Sequence, residues 1–98
     1  MGGLRFEWDA KKDRANQKKH RVSFAEAKSA FSDERGLVID DPEHSDEEDR
    51  FVLLGMSAAL RVLVVCHCYR AGGDVIRLIS ARRADPQEQQ DYFDRWRP

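Results

Sequence analysis

Three segments in the second half of the chain carry the apolar pattern of β-strands. Residues 51–56, 60–69 and 75–84 are rich in Val, Leu and Ile, which favour the pleated surface of a sheet. Short turns join them, and the second turn contains Ala71-Gly72-Gly73. Strands joined in this way form an antiparallel meander, and residues 37–40 are predicted to add a fourth strand to it.

Three helices are predicted from their capping signals. Asp9 precedes residues 10–19 and can accept hydrogen bonds from the free backbone N–H groups of the first turn. Ser23 and Glu26 have the spacing of a capping box, in which each side chain accepts from the other residue's backbone N–H. Asp85-Pro86 starts the last helix, because proline suits the first helical position. The weak apolar stripe of that helix consists of Tyr92, Phe93 and Trp96.

The order of these elements places the chain in the α+β class. Residues 4–8 alternate between apolar and polar side chains, which predicts a short strand before the first helix. We expect an antiparallel sheet of about four strands, with two N-terminal helices and one C-terminal helix over one face. A length of 98 residues supports one modest core, so residues 1–98 are predicted to form a single domain.

The net charge of −1 hides a strong segregation of charge along the chain. Of 17 basic and 18 acidic residues, residues 40–50 contain seven acids and one base, Arg50, which leaves 16 basic and 11 acidic residues elsewhere. The body of the chain is therefore basic, and such local patches set the electric field that an anionic partner meets. Residues 43–48 have no apolar anchor and are predicted to form a mobile charged loop.

No segment approaches the length of about 20 apolar residues that a membrane span needs. The first residues also lack the apolar core of a signal peptide. We therefore expect a cytoplasmic protein that makes no contact with membranes.

Three arginines interrupt the segment 75–84 and indicate an anion site. They are Arg77, Arg82 and Arg83. A guanidinium group offers a planar fork of donors that matches a phosphate group. Because side chains alternate along a strand, Arg82 is predicted to share a face with Ser80, and Arg77 and Arg83 to share the other face.

The position of His67 relative to these arginines depends on the length of the turn before the last strand. A three-residue turn would place His67 opposite Arg77. A turn of two or four residues would place His67 opposite Leu78, on the same face as Arg82. Joint action of His67 and Arg82 therefore requires the even turn.

Both cysteines lie in the tripeptide Cys66-His67-Cys68. A disulfide between residues two apart on one strand has poor geometry. Cys66 and Cys68 would share a strand face while His67 points the other way, so zinc binding is a weak alternative. We expect buried and unreactive cysteines, and we expect neither a metal nor another cofactor.

A series of short blocks extends from about Phe6 to Tyr92 and matches one known family in order and spacing. The blocks are Phe6-Glu7-Trp8-Asp9, Asn16, Lys19-His20, Val22-Ser23-Phe24-Ala25-Glu26-Ala27, Asp41-Pro42-Glu43-His44, Glu48-Asp49-Arg50-Phe51, Gly55-Met56-Ser57, Leu63-Val64-Val65-Cys66-His67 and Ile79-Ser80-Ala81-Arg82-Arg83-Ala84. With them, the chain resembles the BrnT family, the toxins of type II toxin–antitoxin pairs.

This resemblance implies a small ribonuclease with a RelE-like fold that inhibits translation and growth and is blocked by a cognate BrnA-type antitoxin. Such antitoxins carry a ribbon-helix-helix DNA-binding region. Contact with DNA would therefore be indirect, through the antitoxin, and the complex would repress its own promoter. The acidic balance of this chain departs from the usually basic composition of such toxins.

The implied reaction is attack of a ribose 2′-hydroxyl on the adjacent phosphate of RNA, without a metal. This step needs a base, an acid, and cations beside the phosphorus atom. Arg82 is the candidate phosphate clamp, and Lys19 adds positive charge. His20 and His67 are the candidates for acid and base, because imidazole titrates near neutral pH.

Further residues are predicted to assist this reaction. Glu48 is a candidate base, or an orienting partner for a histidine or for Arg50. The two aromatic rings among the candidate RNA contacts would stack on an unpaired base. The candidate RNA-binding residues are Arg77, Arg83, Arg50, Trp8 and Tyr92.

Two other functions are compatible with the sequence. A domain of the same fold without catalytic activity would act as a partner in a DNA-binding repressor complex, and it would tolerate buried or scattered His20, His67 and Arg82 side chains. A metal-binding module would use Cys66 and Cys68 with a histidine, and it predicts stoichiometric zinc in the purified protein.

Overall fold

The computed structural model describes residues 5–41 and 50–95 of the chain. Five strands form one sheet in the order β1-β5-β4-β3-β2: β1 (Arg5–Glu7), β2 (Leu37–Asp40), β3 (Arg50–Met56), β4 (Val62–Arg70) and β5 (Val75–Arg83). The helices are α1 (Ala10–His20), α2 (Phe24–Ser29) and α3 (Pro86–Asp94), with 3₁₀ turns at Ala30–Ser32 and Ala71–Gly73. Within those residues, no helix combines the length and apolar character needed to cross a membrane.

The α+β class and the order of the elements are confirmed, but the sheet has five strands rather than about four. The additional strand, β1, lies at the edge and pairs in parallel with β5, with Arg5 opposite Val75 and Glu7 opposite Arg77. All other neighbouring strands pair antiparallel. The sheet is therefore mixed, because a strand from the start of the chain closes the edge that the meander leaves open.

Helices cover both faces of the sheet, so the expectation of a single covered face is wrong. On β4, Leu63 and Val65 belong to a buried cluster that includes Phe24 of α2. Val62, whose side chain points to the other face, belongs to a second buried cluster, which includes Tyr92 of α3. β4 is apolar at almost every position, which is typical of a strand covered on both sides.

The caps at the ends of α1 and α3 agree with the sequence prediction. Asp9 Oδ1 accepts hydrogen bonds from the backbone N–H groups of Lys11 (2.7 Å) and Lys12 (3.3 Å). Asp85 and Glu88 form a complete capping box at the start of α3. Each cap provides partners for N–H groups that the first helical turn leaves free.

The capping box predicted for α2 is only half formed. Ser23 Oγ accepts from the backbone N–H of Glu26 at 3.0 Å. The Glu26 carboxylate, however, pairs with the Arg61 guanidinium and accepts from the Ser57 hydroxyl at 2.7 Å. Arg61, the residue just before β4, therefore takes the place of the Ser23 backbone N–H as the partner of the Glu26 carboxylate. Charge-assisted hydrogen bonds of this kind are stronger than neutral ones.

A β-bulge in β5 decides which side chains share a face. Arg70 pairs with Val75, so the turn has four residues and His67 lies opposite Leu78, as the even turn requires. Ile79 is then an extra residue, and beyond it Cys66 pairs with Ser80. One inserted residue reverses the alternation of side chains along the strand.

The predicted grouping of the arginines is therefore wrong. Arg77 lies opposite Cys68 and Arg82 lies opposite Val64, and these two β4 residues share a face because they are separated by an even number of positions. Arg83 lies opposite Leu63, on the other face. Arg77 thus shares a face with Arg82, contrary to the prediction, whereas Arg83 lies on the face opposite Arg82 as predicted.

Candidate active site

The face of the sheet that carries Arg82 contains a pocket of about 380 Å³. Strands β3, β4 and β5 form its base, His20 at the end of α1 forms one side, and Glu88 in the first turn of α3 forms another. The remaining lining residues are Ile39, Asp41, Val52, Val64, Cys66, Ser80 and Ala81. Two residues predicted from sequence as catalytic, His20 and Arg82, thus line the same pocket although they are 62 positions apart in the sequence.

Arg82 is held in this pocket by Glu88. Its Nη1 donates to Oε1 of Glu88 at 2.8 Å, and its Nη2 donates to Oε2 at 2.9 Å. These hydrogen bonds lower the pKa of the Glu88 carboxyl and raise the pKa of the Arg82 guanidinium. Arg82 therefore stays charged and keeps a defined orientation, while 43% of its side chain is exposed to solvent.

Asn16 fixes α1, and with it His20, against β5. Its Nδ2 donates to the backbone oxygens of Val22 (2.7 Å) and Ala81 (2.8 Å), and its Oδ1 accepts from the N–H of Ala81 at 3.1 Å. β1 ends opposite Arg77, and among the described residues no strand pairs with β5 beside Ala81. The Asn16 amide therefore hydrogen-bonds the backbone of β5 as a neighbouring strand would. Asn16 lies one helical turn before His20, and its partner Ala81 lies one residue before Arg82.

Cys66 and Asp41 lie side by side in the same pocket. The Cys66 thiol donates to Oδ2 of Asp41 at 3.7 Å. Burial, reinforced by the negative charge of Asp41, raises the pKa of the Cys66 thiol to about 11. Since the thiolate is the nucleophilic form, Cys66 is unsuited to covalent chemistry near neutral pH.

His67 lies on the opposite face, which corrects its assignment to the site. The residue is fully buried, its Nδ1 is 3.1 Å from the Val65 oxygen, and its Nε2 is 3.3 Å from the Tyr69 hydroxyl. Its ring packs edge-on against Phe31, with the ring centroids 4.8 Å apart. Burial lowers the pKa of His67, so the ring is a neutral core group with no access to substrate.

The alternation of side chains along β4 separates His67 from the two cysteines, so these three residues do not share a metal site. Cys66 lies opposite Ser80 and Cys68 opposite Arg77, whereas His67 lies among core aromatic rings on the other side. Over residues 5–41 and 50–95, no three His, Cys, Asp or Glu side chains come together in a way that would hold a metal ion.

Lys19 does not line the pocket of Arg82. It is exposed and lines a neighbouring recess together with His20. Glu48 lies outside the described residues, as do the loop predicted over residues 43–48, Leu4 and Trp96. Arg50 begins β3, and its backbone oxygen accepts from the N–H of Asp41 at 2.9 Å.

The remaining candidate RNA-binding arginines are separated from one another. Arg77 Nη1 donates to Oε2 of Glu7 at 2.6 Å, which joins β5 to the edge strand β1. Arg83 is exposed beside Phe93 and Val62 in a different recess. Neither residue lines the pocket that contains Arg82.

The two aromatic candidates are packed inside the protein. Tyr92 is fully buried and its hydroxyl donates to Asp33, so stacking of Tyr92 on an RNA base is excluded in this structure. Trp8 is half-buried and packs edge-on against Phe24, with the ring centroids 6.2 Å apart. Its ring mainly extends the core beneath α1.

A larger recess of about 550 Å³ lies beside Tyr92 and Asp33. The Asp33 carboxylate accepts from the N–H of Met56 at 2.8 Å and from that of Arg35 at 3.0 Å, as well as from the Tyr92 hydroxyl. These contacts hold the chain between α2 and β2 against α3. Size alone therefore does not mark the functional site.

Sequence reasoning missed the roles of Glu88, which lines the pocket, and of Asn16, which holds α1 against β5 beside it. Glu88 was recognisable only as a capping acid, because its spacing from Asp85 is the local signal of a helix start. Its contact with Arg82 and the contact of Asn16 with Ala81 depend on packing. No local sequence pattern predicts either contact.

A family model described as the ribonuclease toxin BrnT of type II toxin–antitoxin systems matches residues 8–88. This chain belongs to the BrnT family. Membership confirms the resemblance seen in the sequence, and it implies an RNA target and an antitoxin partner for this BrnT-family toxin. The matched range includes His20, Arg82 and Glu88, which surround the pocket.

The fold of this BrnT-family chain is also similar to a solved structure. The crystal structure of the Brucella abortus ribonuclease toxin BrnT matches with a TM-score of 0.60 and 24% identity, over 84% of this chain and 97% of that chain. At this identity the likeness shows a shared fold. No curated protein sequence matches the chain.

Proposed function

We propose that this chain is a metal-independent endoribonuclease that inhibits translation and growth. The proposal rests on one observation above all: the Arg82 guanidinium and the His20 imidazole line one solvent-open pocket. Attack of the 2′-hydroxyl on the adjacent phosphate needs a proton acceptor and a fixed positive charge, which these two groups supply. The relation of the fold to that of RelE stays a prediction.

Arg82 is the proposed phosphate clamp. Its Nη1 and Nη2 atoms are oriented by Glu88, and the remaining N–H groups of the guanidinium would donate to the non-bridging oxygens of a phosphate group. Because the guanidinium stays charged at all relevant pH values, it stabilises the charge that builds up on the phosphorane oxygens. Positive charge of this kind takes the place that a metal ion holds in other nucleases.

His20 is the proposed proton-transfer group on the 2′-hydroxyl or on the leaving 5′-oxygen. Lys19, its neighbour at the end of α1, adds positive charge to the approach of the substrate. Glu48 remains the proposed group for the second proton transfer, and Arg50 remains a proposed RNA contact. Arg77 and Arg83 are proposed to contribute to the electric field that attracts RNA, and Trp8 is proposed to contact a base through its exposed part.

We further propose that a BrnA-type ribbon-helix-helix antitoxin neutralises this chain. The toxin would then meet DNA only through its antitoxin, in a complex that represses its own promoter. Cytoplasmic action follows from an RNA target engaged in translation. No membrane partner is needed for any of these steps.

A non-catalytic role in a repressor complex is the second candidate, and the Arg82–Glu88 pair favours it. A guanidinium that is already paired with a carboxylate in bidentate fashion is a complete structural ion pair. The burial of His67, which was one of two candidate imidazoles, points in the same direction. In this case the pocket would receive a segment of the antitoxin instead of RNA.

Cleavage of an unstructured RNA in EDTA tests the two candidates. The wild type is compared with Arg82→Ala and with Arg70→Ala, a matched control at an exposed position at the far end of β4. The ribonuclease proposal predicts that only Arg82→Ala loses activity by about 10²-fold or more, with unchanged circular dichroism. Equal cleavage by all three proteins would exclude Arg82 as the clamp, and no cleavage with ribosomes added would favour the non-catalytic role.

A further inference from the structure

A second recess, beside the pocket of Arg82, lies at the open edge of β5. β1 ends at Glu7, opposite Arg77, and Asn16 covers the backbone of Ala81 further along the same edge. Within residues 5–41 and 50–95, no strand pairs with the edge of the sheet between these two points. The recess there has a volume of about 360 Å³ and includes Ile79 and Ser80 of β5.

This recess adjoins the candidate active site. His20 and Ser80 line both cavities, so these two residues form the ridge between them. A flexible polymer bound with one phosphate at Arg82 would therefore pass over the ridge and enter the recess with its next unit.

Two lysines give the recess its charge. Lys12 and Lys19 are exposed and lie on the same side of α1, because seven residues correspond to about two helical turns. In the part of the chain that the structure describes, neither ammonium group forms an ion pair. Asp13, an acid within the helix, instead accepts from the N–H of Phe24 at 2.9 Å.

We propose that this recess is a binding subsite for the phosphate that flanks the scissile phosphate of single-stranded RNA, with Lys12 as its previously unassigned contact. The identification of RNA rests on the proposed function. Two point charges beside a polar ridge suit a phosphodiester, whereas a docked polypeptide needs apolar anchors. Among the described residues that line the recess, only Ala15 and Ile79 are apolar.

Salt-dependent binding of a 2′-O-methyl RNA oligonucleotide tests this proposal. This probe lacks the attacking hydroxyl, so the result is independent of cleavage. Lys12→Gln is compared with Lys28→Gln, which removes the same charge from α2, where the ammonium lies 5.4 Å from the centre of the Phe6 ring. Circular dichroism confirms that each variant is folded.

We expect Lys12→Gln to weaken binding several-fold at low salt and to reduce the slope of log K against log salt by about 0.7, the value for one phosphate contact with a single strand. Lys28→Gln should retain the wild-type slope, and Lys12→Arg should restore it. Equal slopes for Lys12→Gln and the wild type would overturn the proposal. The proposal would also be overturned if Lys12→Gln lost binding to polyglutamate, an anionic polypeptide, but still bound RNA as the wild type does.

Cleavage by the wild type is measured separately in EDTA, so that the two proposals can fail independently. A wild type that binds RNA through Lys12 but does not cleave it would support the subsite and contradict the ribonuclease proposal. A wild type that cleaves RNA with a slope insensitive to Lys12 would support the ribonuclease and overturn the subsite.

Discussion

Arg82 and Glu88 form a bidentate ion pair that joins the end of β5 to the first turn of α3, with N–O distances of 2.8 and 2.9 Å. Oε1 of Glu88 also accepts from the backbone N–H of Asp85 at 2.9 Å. One carboxylate therefore orients the proposed phosphate clamp and caps a helix. The active-site proposal and the packing of α3 depend on the same side chain.

Glu88→Gln tests the energetic value of this pair. Glutamine can keep the capping-box contact through its oxygen, but it loses the charge and one of the two hydrogen bonds from Arg82, because its amide nitrogen cannot accept. We expect the free energy of unfolding at pH 7 to fall by about 0.5 to 1 kcal/mol because both partners are partly exposed. The pKa of Glu88 is lowered in the folded state from 4.5. The advantage of the wild type is thus complete above that pH and disappears as the pH falls further. Urea denaturation at pH 7 and about pH 3 measures it, and a difference that persisted in acid would contradict this account.

Substitutions of His20 and of His67 should have clearly different effects on RNA cleavage. His20→Ala is expected to lower kcat/KM for RNA cleavage by about 10²-fold or more, as loss of a proton-transfer group does. His67→Gln should cleave RNA at a rate close to that of the wild type per folded molecule, because the ring faces the core. Initial-rate kinetics with both variants check this, and the reverse order of effects would remove His20 from the mechanism.

Burial of neutral His67 makes the stability of the protein depend on pH. The unfolded chain takes up a proton at this position below about pH 6.5, whereas the pKa is lower in the folded protein. Stability should therefore fall as the pH decreases from 6.5 and level off below the folded pKa. His67→Gln should show a shallower fall over the same range. Parallel stability curves for the two proteins would contradict burial of the neutral ring.

Asn16→Ala should destabilise the protein strongly. It leaves the oxygens of Val22 and Ala81 and the N–H of Ala81 without their side-chain partner, at a cost of about 2 to 4 kcal/mol. Gln17→Ala, at the neighbouring exposed position, is the matched control and should cost less than about 1 kcal/mol. Urea denaturation of both variants measures the difference, and similar losses would mean that the buried amide has no special role.

Cys66 should be unreactive in the native protein. With its pKa raised to about 11, only a very small fraction of the thiol is ionised at pH 7.5, and the thiolate is the reactive form. Iodoacetamide should therefore label Cys66 far more slowly than it labels free cysteine, and unfolding in urea should restore normal labelling. Rapid labelling of the folded protein, located by peptide mass spectrometry, would contradict the raised pKa.

The candidate site was only partly predictable from sequence. Arg82 and His20 were identified by residue type and by family resemblance, and the structure places both in one pocket. Tyr92 and His67 were chosen by the same criteria, yet both are fully buried. Residue type indicates what chemistry a side chain can perform, but exposure depends on which elements pack over it.

Local interactions were determined by the sequence itself. The caps at Asp9 and Asp85, the five strand segments and the three helices follow from side chains within a few residues of one another, because capping and periodicity act over that range. The parallel pairing of β1 with β5, the position of α3 on the second face and the bulge at Ile79 were decided only by the tertiary structure. Each depends on contacts between distant segments, and one extra residue at Ile79 is enough to place Arg82 on the face opposite His67, which stays in the core with Leu63 and Val65.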